Sequence, residues 1–222
     1  MTLERTTLPA RVRPETRDEW IERQFETTCL EEAGHAIVAR IIGFDVKSAR
    51  ADVPAPGLLG QVRISVRGED LNNALRRAEL ACAYLAGPIA ANTPVPTWPP
   101  RHNGASSDES EIAELLGPLE LSEKQYDRVV QVTRDLVEHP IVRAAIKTAS
   151  THLSIANLED PGMVDVIIEA AAERFADEHQ DPELKALRDE SRDETLAWLR
   201  HGQRKVELKA LRDAADRIAA EH

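Results

Sequence analysis

Leu30, Ala33, Ile37 and Ile41 recur at i, i+3, i+7 and i+11, the spacing of one apolar stripe on an α-helix. Threaded through the stripe are three ionisable residues, Glu31, Glu32 and His35. Residues four apart project from the same helix face, so Glu31 stands one turn above His35, with Glu32 about 100° around the axis. Two adjacent glutamates ordinarily mark a solvated face. Here Ala33-Gly34-His35-Ala36-Ile37-Val38 follows directly, which argues against a plain wet surface. Glycine inside a helix is about 1 kcal/mol less favourable than alanine, so Gly34 reads as a point of close approach to a neighbouring element. The helix is expected over roughly residues 15–42, with Gly43 as its stop.

Downstream, residues 45–53 and 60–66 are rich in β-branched side chains and flank Pro54-Ala55-Pro56-Gly57, the pattern of a hairpin or two neighbouring strands. Gln61, Arg63 and Ser65 alternate with Val62, Ile64 and Val66, as in a sheet with one wet face. A strong helix is expected over 70–91, with Leu71, Leu75, Ala78, Cys82, Leu85 and Ile89 on one face. Residues 92–103 contain four prolines and read as an extended loop. Ser106 or Ser107 is expected to cap a helix over 108–116, whose acidic first turn suits the helix dipole. Further helices are expected over 122–139, 141–153 and 163–176, the last entered through a turn at 157–162. The fold class is therefore mainly α with a small β-hairpin. An N-terminal arm (1–16) precedes one domain (17–177), and a charged helical tail (178–222) follows. In that tail Glu183-Leu184-Lys185-Ala186-Leu187-Arg188-Asp189 recurs identically as Glu207-Leu208-Lys209-Ala210-Leu211-Arg212-Asp213. Leucine-spaced charged helices commonly pack on a partner, so the tail is a candidate surface for homo-oligomers or another protein.

Charge excludes some partners. With 39 acidic and 28 basic residues the net charge is −11, and such a surface repels phosphate backbones and anionic headgroups. Nucleic acid and membrane are not expected partners. No apolar run approaches the roughly 20 residues needed to span a bilayer. Two cysteines, Cys29 and Cys82, fit a reducing compartment, and the expected location is the cytoplasm.

The stretch Glu31-Glu32-Ala33-Gly34-His35-Ala36 resembles the active-site helix of the FtsH-type ATP-dependent zinc metalloproteases, whose motif is His-Glu-Ala-Gly-His-Ala. Tyr84-Leu85-Ala86-Gly87-Pro88-Ile89-Ala90-Ala91 resembles that family's Leu-Gly-Gly-Arg-Ala-Ala-Glu-Glu helix. Gly104-Ala105-Ser106-Ser107-Asp108 resembles its Gly-Ala-Ser-Asn-Asp stretch, which ends in the third metal ligand. Asn157-Leu158-Glu159-Asp160-Pro161-Gly162 is a fainter echo of a later turn. The resemblance spans roughly residues 18–176. It implies a zincin-type FtsH-peptidase-like domain with Glu31, His35 and Asp108 as metal ligands and Glu32 as general base. The chemistry implied is hydrolysis of peptide bonds in flexible polypeptides by a metal-activated water.

Three departures shape that expectation. Glu31 replaces the first histidine, Ala91 and Asn92 replace the closing acids of the middle motif, and no G-x-x-x-x-G-K-[ST] phosphate loop is present. ATP is therefore not expected as a partner. A carboxylate reaches zinc at about 2.0–2.2 Å, close to the imidazole distance. Yet a Glu-His-Asp set leaves the ion formally neutral where His-His-Asp leaves it at +1, so bound water is acidified less. An oxygen-rich set also favours harder ions such as manganese or magnesium over zinc. Cys29 lies about 200° around the helix from Glu31 and cannot join the set. His102 is a spare imidazole in the proline-rich loop, and Arg76, Arg77 and Arg101 are candidate grips for a substrate carboxylate. The chain is thus expected to be either a metal-dependent, ATP-independent peptidase or a catalytically inactive pseudo-peptidase that binds a protein partner without metal.

Overall fold

The helix announced by the apolar stripe is the axle of the structure. A computed structural model describes residues 15–55, 58–100 and 107–179. The N-terminal arm, the Pro56-Gly57 turn, His102, Arg101, the segment 104–106 and the repeated tail motif lie outside the described residues. Helix α1 (Arg17–Ile41) opens with a capping box in which Thr16 accepts from the Glu19 amide and the Glu19 carboxylate accepts from the Thr16 amide. It closes at Gly43, whose φ of 90° suits glycine. The Gly43 amide bonds to the Arg40 carbonyl and the Phe44 amide to that of Ala39, a Schellman closure.

The stripe understates what α1 does. Every residue from 32 to 39 is buried, not only one face. The reason is position: α1 is packed at once by α3 (Ala74–Ala90), α6 (Pro140–Leu153), α7 (Pro161–His179) and strands β1 (Asp45–Ala55) and β2 (Leu58–Ser65). Glu32 and His35 are therefore inside the protein, and small residues at 33, 34, 36 and 39 let the neighbours close in.

The two strands form an antiparallel sheet with Val46 opposite Ile64 and Ala49 opposite Val62, and the register shifts between Val46 and Ser48. Val62, Ile64 and Val66 lean on the core, as the alternation predicts. On its outer side β1 exchanges two 2.8 Å backbone bonds with Leu158, through Ala49. The expected single helix over 70–91 is divided: a short α2 (Gly68–Leu71) precedes α3. Asn73 is responsible, because its Oδ1 accepts from the Leu75 and Arg76 amides and caps α3 afresh. Ser107 is the first residue of α4 (Ser107–Leu116), so it is not the cap. After a 3-10 turn at Gly117–Leu119, α5 (Glu123–Glu138) begins with its own capping box at Ser122 and Gln125. Helix α7 starts two residues earlier than the sequence suggests, with Asp160 Oδ1 accepting from the Gly162 amide at 2.9 Å.

One apolar cluster runs through all these elements except α2 and contains no fully buried tryptophan, in keeping with a composition of 4% aromatics. At the end of α1, Arg40 grips both carboxylate oxygens of Asp165 on α7 and also reaches Asp45. Arg76 and Arg77 are structural here. Arg76 lies 3.9 Å over the Phe44 ring and pairs with Asp70 and Glu79, while Arg77 donates to the carbonyls of Leu71, Glu114 and Leu115. No described helix is long and apolar enough to cross a membrane.

Candidate functional site

His35 sits where α1 crosses α3, and the crossing is close because glycine meets small residues. A Cβ on Gly34 would lie 2.7 Å from the Ala86 carbonyl oxygen and 2.8 Å from the Ala90 Cβ. Across the crossing Gly87 leaves the space that the His35 ring fills, since a Cβ there would lie 2.8 Å from Cδ2 and closer still to Nε2. The ring is 6.1 Å from that of Tyr84, centroid to centroid. Its Nδ1 lies 2.8 Å from the Ala83 carbonyl oxygen. A carbonyl can only accept, so Nδ1 carries the hydrogen and donates.

That fixes the other nitrogen. Nε2 points at Asp108 Oδ2, 3.2 Å away in the first turn of α4. A bare Nε2 lone pair and a carboxylate oxygen repel one another, so a proton or a metal ion belongs between them. With a proton there, the imidazolium is favoured. Burial alone would lower the His35 pKa, but the Asp108 hydrogen bond and charge, with Glu32 and the Ala83 carbonyl, bring it up to about 9. A metal fits the same gap: two ligand atoms about 2.1 Å from a tetrahedral ion lie roughly 3.4 Å apart. A carbonyl behind Nδ1 is also how ligand imidazoles are commonly oriented.

Glu32 is buried beside this pair, under β2. A Cβ on Gly60 would lie 2.7 Å from the Glu32 Cγ and from the Thr28 Cγ2, so that glycine is what lets the strand pass over the carboxyl. Burial raises the Glu32 pKa first; His35 opposes, while Asp108, Glu31 and Asp52 add, and the value reaches about 7. Its acid and base forms are thus both populated near neutrality.

Glu31 is half-buried on the same α1 face as His35, and its Oε1 accepts from the Thr93 hydroxyl at 2.9 Å. Burial raises its pKa, against the pull of Thr93 and His35. His35 and Asp108 are brought together from 73 residues apart, and Glu32 and Glu31 lie within electrostatic reach of both. Among the described residues, however, no three His, Cys, Asp or Glu side chains close into a group that could hold a metal ion. The fit to a metal is therefore a fit of the His35–Asp108 pair, with Glu31 alongside rather than closing it. Cys29 is buried, with its thiol pushed up to about 11 by burial and then by Glu26 and Glu32, which leaves it inert.

Sequence reasoning missed the Ala83 carbonyl, Gly60 and Thr93. A backbone carbonyl leaves no trace in side-chain identity, and Gly60 reads only as a strand end. Thr93 is one polar residue in a loop of similar residues, and nothing in the chain order links it to Glu31. No protein family, curated protein or solved structure matches the chain.

Proposed function

We propose that the chain is a metal-assisted hydrolase of FtsH-peptidase type, cleaving peptide bonds in flexible polypeptides without ATP. One observation supports this reading above the others: His35 and Asp108 face each other across a gap that calls for a cation, with Glu32 buried beside it. His35 and Asp108 would hold the ion, zinc or a harder divalent cation, with Glu31 as the third ligand that the resemblance implies. When bound, the ion supplies Lewis-acid polarisation of water and of a substrate carbonyl. Glu32, with a pKa near 7, is matched to taking a proton and returning it at neutral pH. Ala83 fixes the His35 tautomer, and Gly60 and Gly87 hold open the space the two side chains occupy. The test is purified protein loaded with zinc or manganese and offered casein. Cleavage is expected, with loss on chelation and in Glu32→Gln; activity that survives both refutes the reading.

A second reading has its own observation. The Glu31 carboxylate is engaged by Thr93, and no three-ligand group forms among the described residues, as a metal-free pseudo-peptidase that binds a protein partner would have it. In that case the His35–Asp108 gap holds a proton, and the protein binds no metal and cleaves nothing. Glu31→His would then be expected to gain zinc.

A further inference from the structure

We infer that Thr93 is a positioning residue that holds Glu31 as the third ligand beside His35 and Asp108, an inference that rests on the metal-assisted reading. The first ground is how Thr93 is placed. Helix α3 ends in a Schellman turn in which Asn92 takes a φ of 56°. The Asn92 amide bonds to the Ile89 carbonyl at 3.2 Å and the Thr93 amide to the Pro88 carbonyl at 2.8 Å. Thr93 is thus fixed by its own backbone, on the helix that Gly34 brings against α1.

The second ground is what its hydroxyl does. It has one hydrogen and two acceptors in range, the Glu31 Oε1 at 2.9 Å and the Pro88 carbonyl at 3.3 Å. The shorter contact, to a group that is an anion when ionised, is the stronger. A carboxylate has two oxygens, so a donor on Oε1 orients the group and leaves Oε2 for an ion. A donor behind a carboxylate ligand matches the usual rule for metal sites, in which the partners of ligands set their orientation. Where the resembled motif closes on acids, this chain has Ala91 and Asn92 and offers a hydroxyl donor one position later.

The experiment is isothermal titration of the metal-free full chain with zinc and with manganese, comparing wild type, Thr93→Val, Thr93→Ser, Glu31→Gln and Asp108→Asn. Valine keeps the shape of threonine and removes the hydroxyl; circular dichroism and thermal melting confirm that each variant is folded. Thr93→Val is expected to bind 10–100-fold more weakly, and Thr93→Ser close to wild type. In the Glu31→Gln background, Thr93→Val is expected to add no further loss, which a merely structural strut would not produce. Wild-type binding that Asp108→Asn abolishes but Thr93→Val leaves unchanged or strengthens overturns this inference alone. A wild type that binds neither ion overturns both it and the metal-assisted reading.

Discussion

The His35 imidazole donates through Nδ1 to the Ala83 carbonyl at 2.8 Å and presents Nε2 to the Asp108 carboxylate at 3.2 Å. A helix–helix hydrogen bond thereby decides which nitrogen faces the acid. The proton or ion between Nε2 and Oδ2 links the pair to pH.

In the metal-free protein, His35 has a folded-state pKa of about 9 against 6.5 unfolded. Between those values the folded state holds more protons, so the contribution of His35 is complete below about pH 6.5 and is lost as pH rises through 9. Glu32, raised from 4.5 to about 7, acts in the same direction between those two values. Urea unfolding in chelator is therefore expected to show stability declining from about pH 5 to 9, with the His35 share of order 3 kcal/mol. Asp108→Asn should flatten the decline above pH 6.5. Stability that rises across this range would contradict the assignment.

Metal and proton compete for Nε2. Affinity for zinc is expected to strengthen as pH is raised from 6 toward 9, approaching tenfold per pH unit, with release of about one proton. Calorimetry in buffers of different ionisation enthalpy reads the proton count directly. Binding that is independent of pH would place the ion elsewhere.

Gly87→Ala drives a methyl group into the His35 ring, which has the Ala83 bond and the Asp108 pair to lose. A loss of about 2–4 kcal/mol is expected by chemical denaturation. Gly68→Ala is the contrast, because no atom lies within 4 Å of its Cβ. It should be neutral or stabilise by up to about 1 kcal/mol. Equal effects at the two sites would mean the His35 cradle is soft.

Arg40 holds Asp165 with two bonds, of 2.6 and 2.8 Å, and tethers α7 to the end of α1. Asp165→Asn is expected to lower stability by about 1–2 kcal/mol. Asp45→Asn, which loosens a mostly exposed partner of the same arginine, should lower it by less than about 0.5 kcal/mol. Thermal melts of the two variants rank the contacts; the reverse order would refute the assignment.

Asn73→Ala removes the cap that starts α3 anew after α2, and a loss of about 1 kcal/mol is expected. An unchanged unfolding midpoint would mean that the two helices are separated by something other than that cap.

Much of this was written in local pattern. The capping box at Thr16, the stop at Gly43, the hairpin alternation and most helix ends follow from residue chemistry within a few positions. The break at Asn73 did not, because the apolar face from Leu71 to Ile89 is continuous and hides a polar residue that competes for backbone amides. The i, i+4 pairing of Glu31 and His35 was legible from spacing. The meeting of His35 with Asp108 was expected only through resemblance.

The sequence by itself determined that one helix would carry Glu31, Glu32 and His35 on adjoining faces, since helical periodicity is a local property. Only the tertiary structure decided that this helix is surrounded, that Gly60 and Gly87 open room for Glu32 and His35, and that Thr93 takes one oxygen of Glu31. Burial, tautomer and charge at this site all depend on groups brought from 25 to 73 residues away, by packing that no local spacing encodes.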